Sequence, residues 1–229
     1  MTRLRILAIA LLLIIIQTNF ITHASVRPSQ PTHYFYCPTA YVNPPFHFVG
    51  SLHEISYSLP PALQFHMSLL DNVGRINFGA RYGFKDNLSV GAGMAWSFVD
   101  YTWDGGHGIR RWYNPRLGLF LSYGFTRTEN FEANITPHAQ IGDNFSIGAD
   151  FALMGTPSVY WSIIFEAGFS FDITEGEPYI NFDGGFRIHP PKIPFLNFDF
   201  GIDLVETSLS HYSPGVAAFF DVVFTMITN

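Results

Sequence analysis

Residues 88–98 alternate without a break: Leu88, Val90, Ala92, Met94, Trp96 and Phe98 share one face, and Ser89, Gly91, Gly93, Ala95 and Ser97 share the other. Successive side chains of a strand point to opposite faces, so this stretch predicts a β-strand with one apolar side. The period returns along the chain. Leu63, Phe65, Met67 and Leu69 alternate with polar neighbours, as do Ile76, Phe78, Ala80 and Tyr82. Leu117, Leu119, Leu121, Tyr123 and Phe125 repeat it, then Phe145, Ile147, Ala149, Phe151 and Leu153, then Val159, Trp161, Ile163, Phe165, Ala167 and Phe169. Weaker versions cover residues 131–141, 180–188, 196–204 and 216–226.

Strand length narrows the fold class. Soluble strands average about 5–6 residues, whereas these run about 9–13, and an 11-residue strand tilted near 40° rises roughly 28 Å, close to a bilayer's hydrocarbon thickness. The second face is mostly Gly, Ser, Ala and Asn, small residues that suit the inside of a narrow closed barrel. The expected fold is therefore all-β: a closed antiparallel up-and-down transmembrane barrel over residues 62–229 with lipid on its apolar side. A secreted soluble β-sandwich, burying that face in its own core, is the competing architecture.

Turns at Asp71-Asn72-Val73-Gly74, Lys85-Asp86-Asn87, Thr128-Glu129-Asn130, Gly142-Asp143-Asn144, Gly155-Thr156-Pro157, Glu175-Gly176-Glu177-Pro178 and 190–194 divide this region into ten strands. The two longer connections, 100–114 and 207–213, then fall on the outer side. Residues 52–59 read as a further strand needing a partner, for which 109–113 is the candidate, and twelve is the alternative count. The twin turns around Asn87 and Asn144 fall on opposite sides in this register.

The N-terminus reads differently. Arg3 and Arg5 precede an apolar run at 6–16, and Thr22-His23-Ala24 supplies small residues at a cleavage site, so residues 1–24 are expected to be a removable secretory signal. Residues 25–61 form a Pro-rich segment, extended at least through 48. Without the signal, 10 basic residues face 18 acidic ones.

Only 13% of the 229 residues are charged, while 48% are hydrophobic and 17% aromatic. An average soluble domain carries about 25% charge, roughly twice this chain's share, and disorder needs low hydrophobicity with high charge, so this composition excludes a disordered chain. No basic run offers a nucleic-acid surface. Cys37 is the single cysteine, so no disulfide framework exists, and the nine His show no metal spacing. No metal and no cofactor are expected.

The turn segments Asp86-Asn87-Leu88-Ser89-Val90-Gly91-Ala92 and Asp143-Asn144-Phe145-Ser146-Ile147-Gly148-Ala149 resemble hairpins of bacterial outer-membrane β-barrel proteins of the small, eight- to twelve-stranded class. That resemblance spans most of residues 62–227. It implies outer-membrane lipid and the barrel-assembly machinery as partners. The class commonly ends its last strand in an aromatic residue, where this chain ends Phe224-Thr225-Met226-Ile227-Thr228-Asn229.

The alternation assigns Arg81, Arg116 and Arg187 to the lumen with Glu132, Asp150, Glu166, Asp183, Asp199, Asp203 and Asp221. Two readings stay open: paired charges plugging a narrow barrel, or an acidic channel that favours cations or small solutes. Tyr101, Trp103, Trp112 and Tyr113 are expected in an interfacial aromatic belt, with Arg110 and Arg111 beside them as candidate lipid-phosphate contacts. One catalytic candidate exists. Ser210-His211-Tyr212-Ser213 resembles the His-x-Ser segment of outer-membrane lipid A deacylases, implying His211 as base and Ser213 as nucleophile. Pro214-Gly215 stands where that family has Asn-Ala-Gly, and no carboxylate sits at the family's spacing, so the expectation is a non-enzymatic barrel.

Overall fold

The computed structural model describes residues 39–52, 54–68, 75–97, 115–128, 130–142, 144–208 and 216–227. Twelve strands form: β1 (His47–Gly50), β2 (Glu54–Leu59), β3 (Leu63–Ser68), β4 (Arg75–Lys85), β5 (Leu88–Ser97), β6 (Pro115–Arg127), β7 (Phe131–Ile141), β8 (Phe145–Ser158), β9 (Trp161–Asp172), β10 (Glu177–Ile188), β11 (Leu196–Ser208) and β12 (Val216–Ile227). Each pairs antiparallel with its chain neighbour, and β1 pairs with β12 through His47↔Ile227 to Gly50↔Phe224 to close the barrel. Closure leaves no sheet edge, so ladder bonding satisfies the backbone without water.

Twelve replaces the expected ten. The additional strands lie within residues 25–61, where prolines on either side (Pro44-Pro45 and Pro60-Pro61) obscure two short strands. The partners of β2 are β1 and β3, not residues 109–113, which lie outside the described residues. Adding a pair of strands preserves parity, so the start of β1 and the end of β12 still share one barrel end, and the strand ends on either side of residues 69–74, 98–114 and 209–215 share the other. The twin turns at Asn87 and Asn144 do sit at opposite ends, so their likeness reflects turn chemistry rather than position.

Burial separates the two faces. Phe65, Phe78, Leu119, Phe125, Ile147, Phe165, Phe186, Phe200 and Phe220 are exposed, while Gln64, Arg81, Ser122, Asn134, Glu166, Arg187 and Asp199 are buried. A soluble β-sandwich would invert that arrangement, and its sheets would not close on each other, so the sandwich reading is overturned. An apolar exterior around a polar, closed interior is the architecture of an outer-membrane β-barrel.

Candidate functional site

Cross-strand register stacks the inward side chains in layers. Near mid-height, Phe219 on β12 lies in register with Gly201 on β11, Gly201 with Gly185 on β10, and β9 continues the row with Ile164, which pairs with Met154 on β8. The two glycines leave a trough in which the Phe219 ring reaches the buried Ala152–Met154–Ile164 cluster. An apolar bar thus spans five strands, β8 to β12, inside a largely polar lumen.

Directly toward the loop end, the next row holds Asp203, Asp183 and Glu166 on β11, β10 and β9, with Asp203↔Asp183 and Asp183↔Glu166 as direct register partners. Asp183 and Glu166 are buried. Asp150 sits one row further out, its carboxylate 3.1 Å from His138 Nδ1. Two adjoining cavities open beyond it. One, of about 450 Å³, is lined by Asn77, Arg116, His138, Gln140 and Asp150; the other, of about 200 Å³, by Arg116, Asn144, Ser146, Asp172 and Tyr179. Arg116 is exposed between them.

On the termini side of the bar lies the Arg187 row. Arg187 donates from Nε to Asp199 Oδ1 at 2.8 Å and from Nη2 to Oδ2 at 2.7 Å, with both side chains almost fully buried. Asp221, in register with Asp199, accepts the backbone N–H groups of Leu52 and Val222 at 2.8 Å each. Below them, Ser162 Oγ lies 2.9 Å from His189 Nε2, and His189 Nδ1 lies 2.7 Å from Asn197 Oδ1. The order Ser–His–Asn is that of a nucleophile, base and orienting group. However, Ser162 has no exposed surface and its Oγ also meets Thr156 Oγ1 at 2.9 Å. The chain of hydroxyls and imidazole is a structural brace.

His189 stands in the turn after β10, and burial holds its pKa below the ordinary value, with the nearby Arg187 charge adding to the effect. A lowered His pKa contributes stability in full above the unfolded value, near 6.5, and loses it as pH falls through the folded value. Urea unfolding midpoints should therefore drop between pH 7.5 and 5 more steeply for the native protein than for His189→Gln; equal slopes would remove His189 from that account.

The opposite wall of the termini end is filled by the chain itself. Residues 39–45, ahead of β1, enter the lumen against β4 and β6: Thr39 and Ala40 are buried, and Arg81 Nη1 donates to the Thr39 carbonyl at 3.0 Å. Arg81 also donates from Nε and Nη2 to Gln64 Oε1 at 3.0 and 2.9 Å. The Tyr41 hydroxyl packs over Gly124, where a Cβ would lie 2.6 Å from it, and the Arg127 guanidinium stands 4.0 Å above the Tyr41 ring. Arg127 in turn pairs with buried Glu132 at 2.8 Å.

Of the ten charged residues assigned to the lumen from sequence, Arg81, Glu132, Glu166, Asp183, Arg187, Asp199 and Asp221 are buried, Asp150 and Asp203 are half-buried and Arg116 is exposed; the register brings Asp150, Glu166, Asp183 and Asp203 together on the loop side, and Arg187, Asp199 and Asp221 on the termini side. Arg81, Glu132 and Arg116 stand apart from both. Arg127 escaped the sequence reading because strict alternation from Leu117 assigns it to the lipid face. A bulge between Gly124 and Thr126 reverses the phase and aligns it with Glu132. The strap at 39–45 has no periodic signal at all. Tyr101, Trp103, Arg110, Arg111, Trp112, Tyr113, His211 and Ser213 lie outside the described residues.

No protein-family model matches the chain, and no curated protein is similar to it in sequence. Among solved structures, the chain is similar to the KdgM porin at 8% identity, with 80% of this chain and 99% of that one covered and a TM-score of 0.48. It is similar to the NanC porin at 8% identity over the same shares, with a TM-score of 0.49. OmpT, an outer membrane protein of Vibrio cholerae, is similar at 10% identity over 75% of this chain and 63% of its own length, with a TM-score of 0.45.

Proposed function

We propose that the chain is a non-enzymatic outer-membrane barrel whose outer half is a polar cup open to the medium and whose inner half is closed by the strap at residues 39–45. Its lumen is acidic, and cations are the species it admits when the strap leaves. Outer-membrane lipid surrounds the barrel, and residues 1–24 direct export and are then removed. The single observation carrying this reading is the dryness of the termini half. Gln64, Ser89, Ser122, Glu132, Asn134, Ser162 and Arg187 are polar, face inward and have at most 1% of their surface exposed. Water filling a channel would wet them.

Conductance tests it. Inserted in a planar bilayer under a KCl gradient, the intact protein should be silent at low voltage. Deleting residues 39–45 should give discrete steps with a reversal potential favouring potassium, because acids outnumber bases on the inward face. Steady steps from the intact barrel, or silence from an inserted deletion variant, would overturn the closed-cup reading. Steps favouring chloride would overturn the cation preference alone.

A further inference from the structure

Closure gives every strand two neighbours, but a stretch of β12 outruns one of its own. β1 ends at Gly50, opposite Phe224, whereas β12 continues to Val216 along β11. The ladder tells which backbone groups are left bare. The Thr225 N–H donates to the Phe195 carbonyl, on the β11 side, at 2.8 Å. Successive residues of a strand turn their backbone groups to opposite sides, so Val222, Phe220, Ala218 and Val216 turn theirs away from β11. The Val222 N–H donates to Asp221 Oδ1 at 2.8 Å. Among the described residues, no strand pairs with Phe220, Ala218 or Val216 on that side.

The end of β1 is capped, not frayed. The Ser51 N–H donates to the Glu54 carbonyl at 2.7 Å, the Glu54 N–H to Ser51 Oγ at 2.8 Å, and the Leu52 N–H to Asp221 Oδ1 at 2.8 Å. Beyond this sill, toward the loop end, the wall lacks β1 and β2. The opening is about two strand widths, roughly 10 Å, across and runs roughly 16 Å along Val216–Phe220. Its rim is apolar on both faces. Val216 and Phe220 are exposed on the outer side, level with exposed Leu204 and Ile202 of β11, and Leu52 is exposed at the sill. On the inner side, Ala217 is exposed and Phe219 covers the apolar bar. Bare backbone at membrane depth persists only where it is buried in protein or lines a water-filled space.

We propose that this opening is a lateral portal joining the cup to the outer leaflet, occupied by the acyl chain of a membrane amphiphile whose polar head lies in the cup. The proposal rests on the cup being open to water, which then wets the bare groups of β12 from within. Water and hydrocarbon meet at this gap, and only a molecule with both characters suits each side of it. The bar of Phe219, Ile164 and Met154 blocks the way further in, so such a molecule leaves the cup sideways or back outward. A second copy of the chain does not fit. Antiparallel pairing of two β12 strands would turn one barrel upside down, and a membrane inserts every copy the same way. The strap at 39–45 is held against β4 and β6, across the lumen.

The test uses the full barrel in phosphatidylcholine vesicles, with Cys37→Ser so that a bimane label attaches only to an introduced cysteine. Ala217→Cys places the label on the inner side of the rim. Ser146→Cys places it on the inner wall of β8, which is paired on both sides at that residue. Phosphatidylcholine brominated along its acyl chains quenches only what those chains reach, and it should quench the label at position 217 severalfold more than the label at 146. Iodide in the medium should quench both, since both face the cup. Asp203→Cys, the inward register partner of Ala217, serves if the first variant fails to fold. Equal quenching by the brominated lipid at 217 and 146, or none at 217, would overturn the portal; in the second case a protein segment covers the flank of β12. Failure of the open cup reads out separately, as loss of iodide quenching at both labels.

Discussion

Gly185→Ala is expected to abolish folding, while Gly184→Ala is tolerated. A Cβ on Gly185 would run into the carbonyl oxygen of Phe200 and lie 2.6 Å from the Gly201 Cα, both backbone atoms of the adjacent strand. Backbone cannot swing aside as a side chain can. Relief requires prising β11 away from β10 through the middle of a register that runs unbroken from Phe182↔Leu204 to Ile188↔Phe198. The cost is at the upper end of overpacking, about 3 kcal/mol or more. Gly184 faces the other way, with the Ile164 carbonyl at 3.9 Å and Phe165 Cδ2 at 4.0 Å as its nearest neighbours, so a methyl group there makes only ordinary contacts. Gly201→Ala is the intermediate case, because its Cβ runs chiefly into the Phe219 side chain, with one backbone atom, the Gly184 carbonyl oxygen, at 2.9 Å. Refolding yields by the heat-dependent gel shift of barrels should rank Gly184→Ala first and Gly185→Ala last. A native yield from Gly185→Ala would mean the sheet spacing at this row is looser than described.

Arg187→Met should destabilise the barrel by about 3–5 kcal/mol, the usual cost of stripping one partner from a buried ion pair. The guanidinium neutralises Asp199 through two charge-assisted bonds in a layer closed to solvent. Without it, Asp199 faces Asp221 across one strand pair, two like charges with no water to screen them. The double variant Arg187→Met/Asp199→Leu removes the orphan charge as well, and most of the lost stability should return, since apolar replacements of a buried pair are often neutral. Urea midpoints of the single and double variants decide this. A double variant no better than the single would show that the pair's hydrogen bonds, and not the stranded charge, carry the energy.

The alternation at Leu88–Ser97 made the strands of the main barrel legible, because a two-residue period needs no information from elsewhere in the chain. It also placed Asp150, Glu166, Asp183 and Asp203 on one face. Their grouping was not legible. Which acid sits beside which depends on register between strands, and register is set by turns and bulges whose geometry no local pattern reports. The bulge after Gly124 shows how much turns on one residue: it moved Arg127 from the lipid face into contact with Tyr41 and Glu132. β1, with four residues beside Pro44-Pro45, is too short to show a period. The strap at 39–45 is held by contacts to Arg81 and Gly124 that lie far off in sequence, so nothing local announces it.

The short seam between β1 and β12 has a kinetic consequence. Four residue pairs close the ring there, against a dozen between β9 and β10, and joining the two ends of the chain carries the largest loop-closure entropy in the fold. The seam is therefore the last ladder to zip during assembly and the first to fray. The strap is continuous with β1, and Phe46 turns from one into the other with a φ of 64° while its N–H bonds to Ser58. Anchoring residues 39–45 inside the lumen thus shortens the search that β1 must make for β12. In assembly the segment packed inside the lumen would thus act as a guide that brings β1 and β12 together.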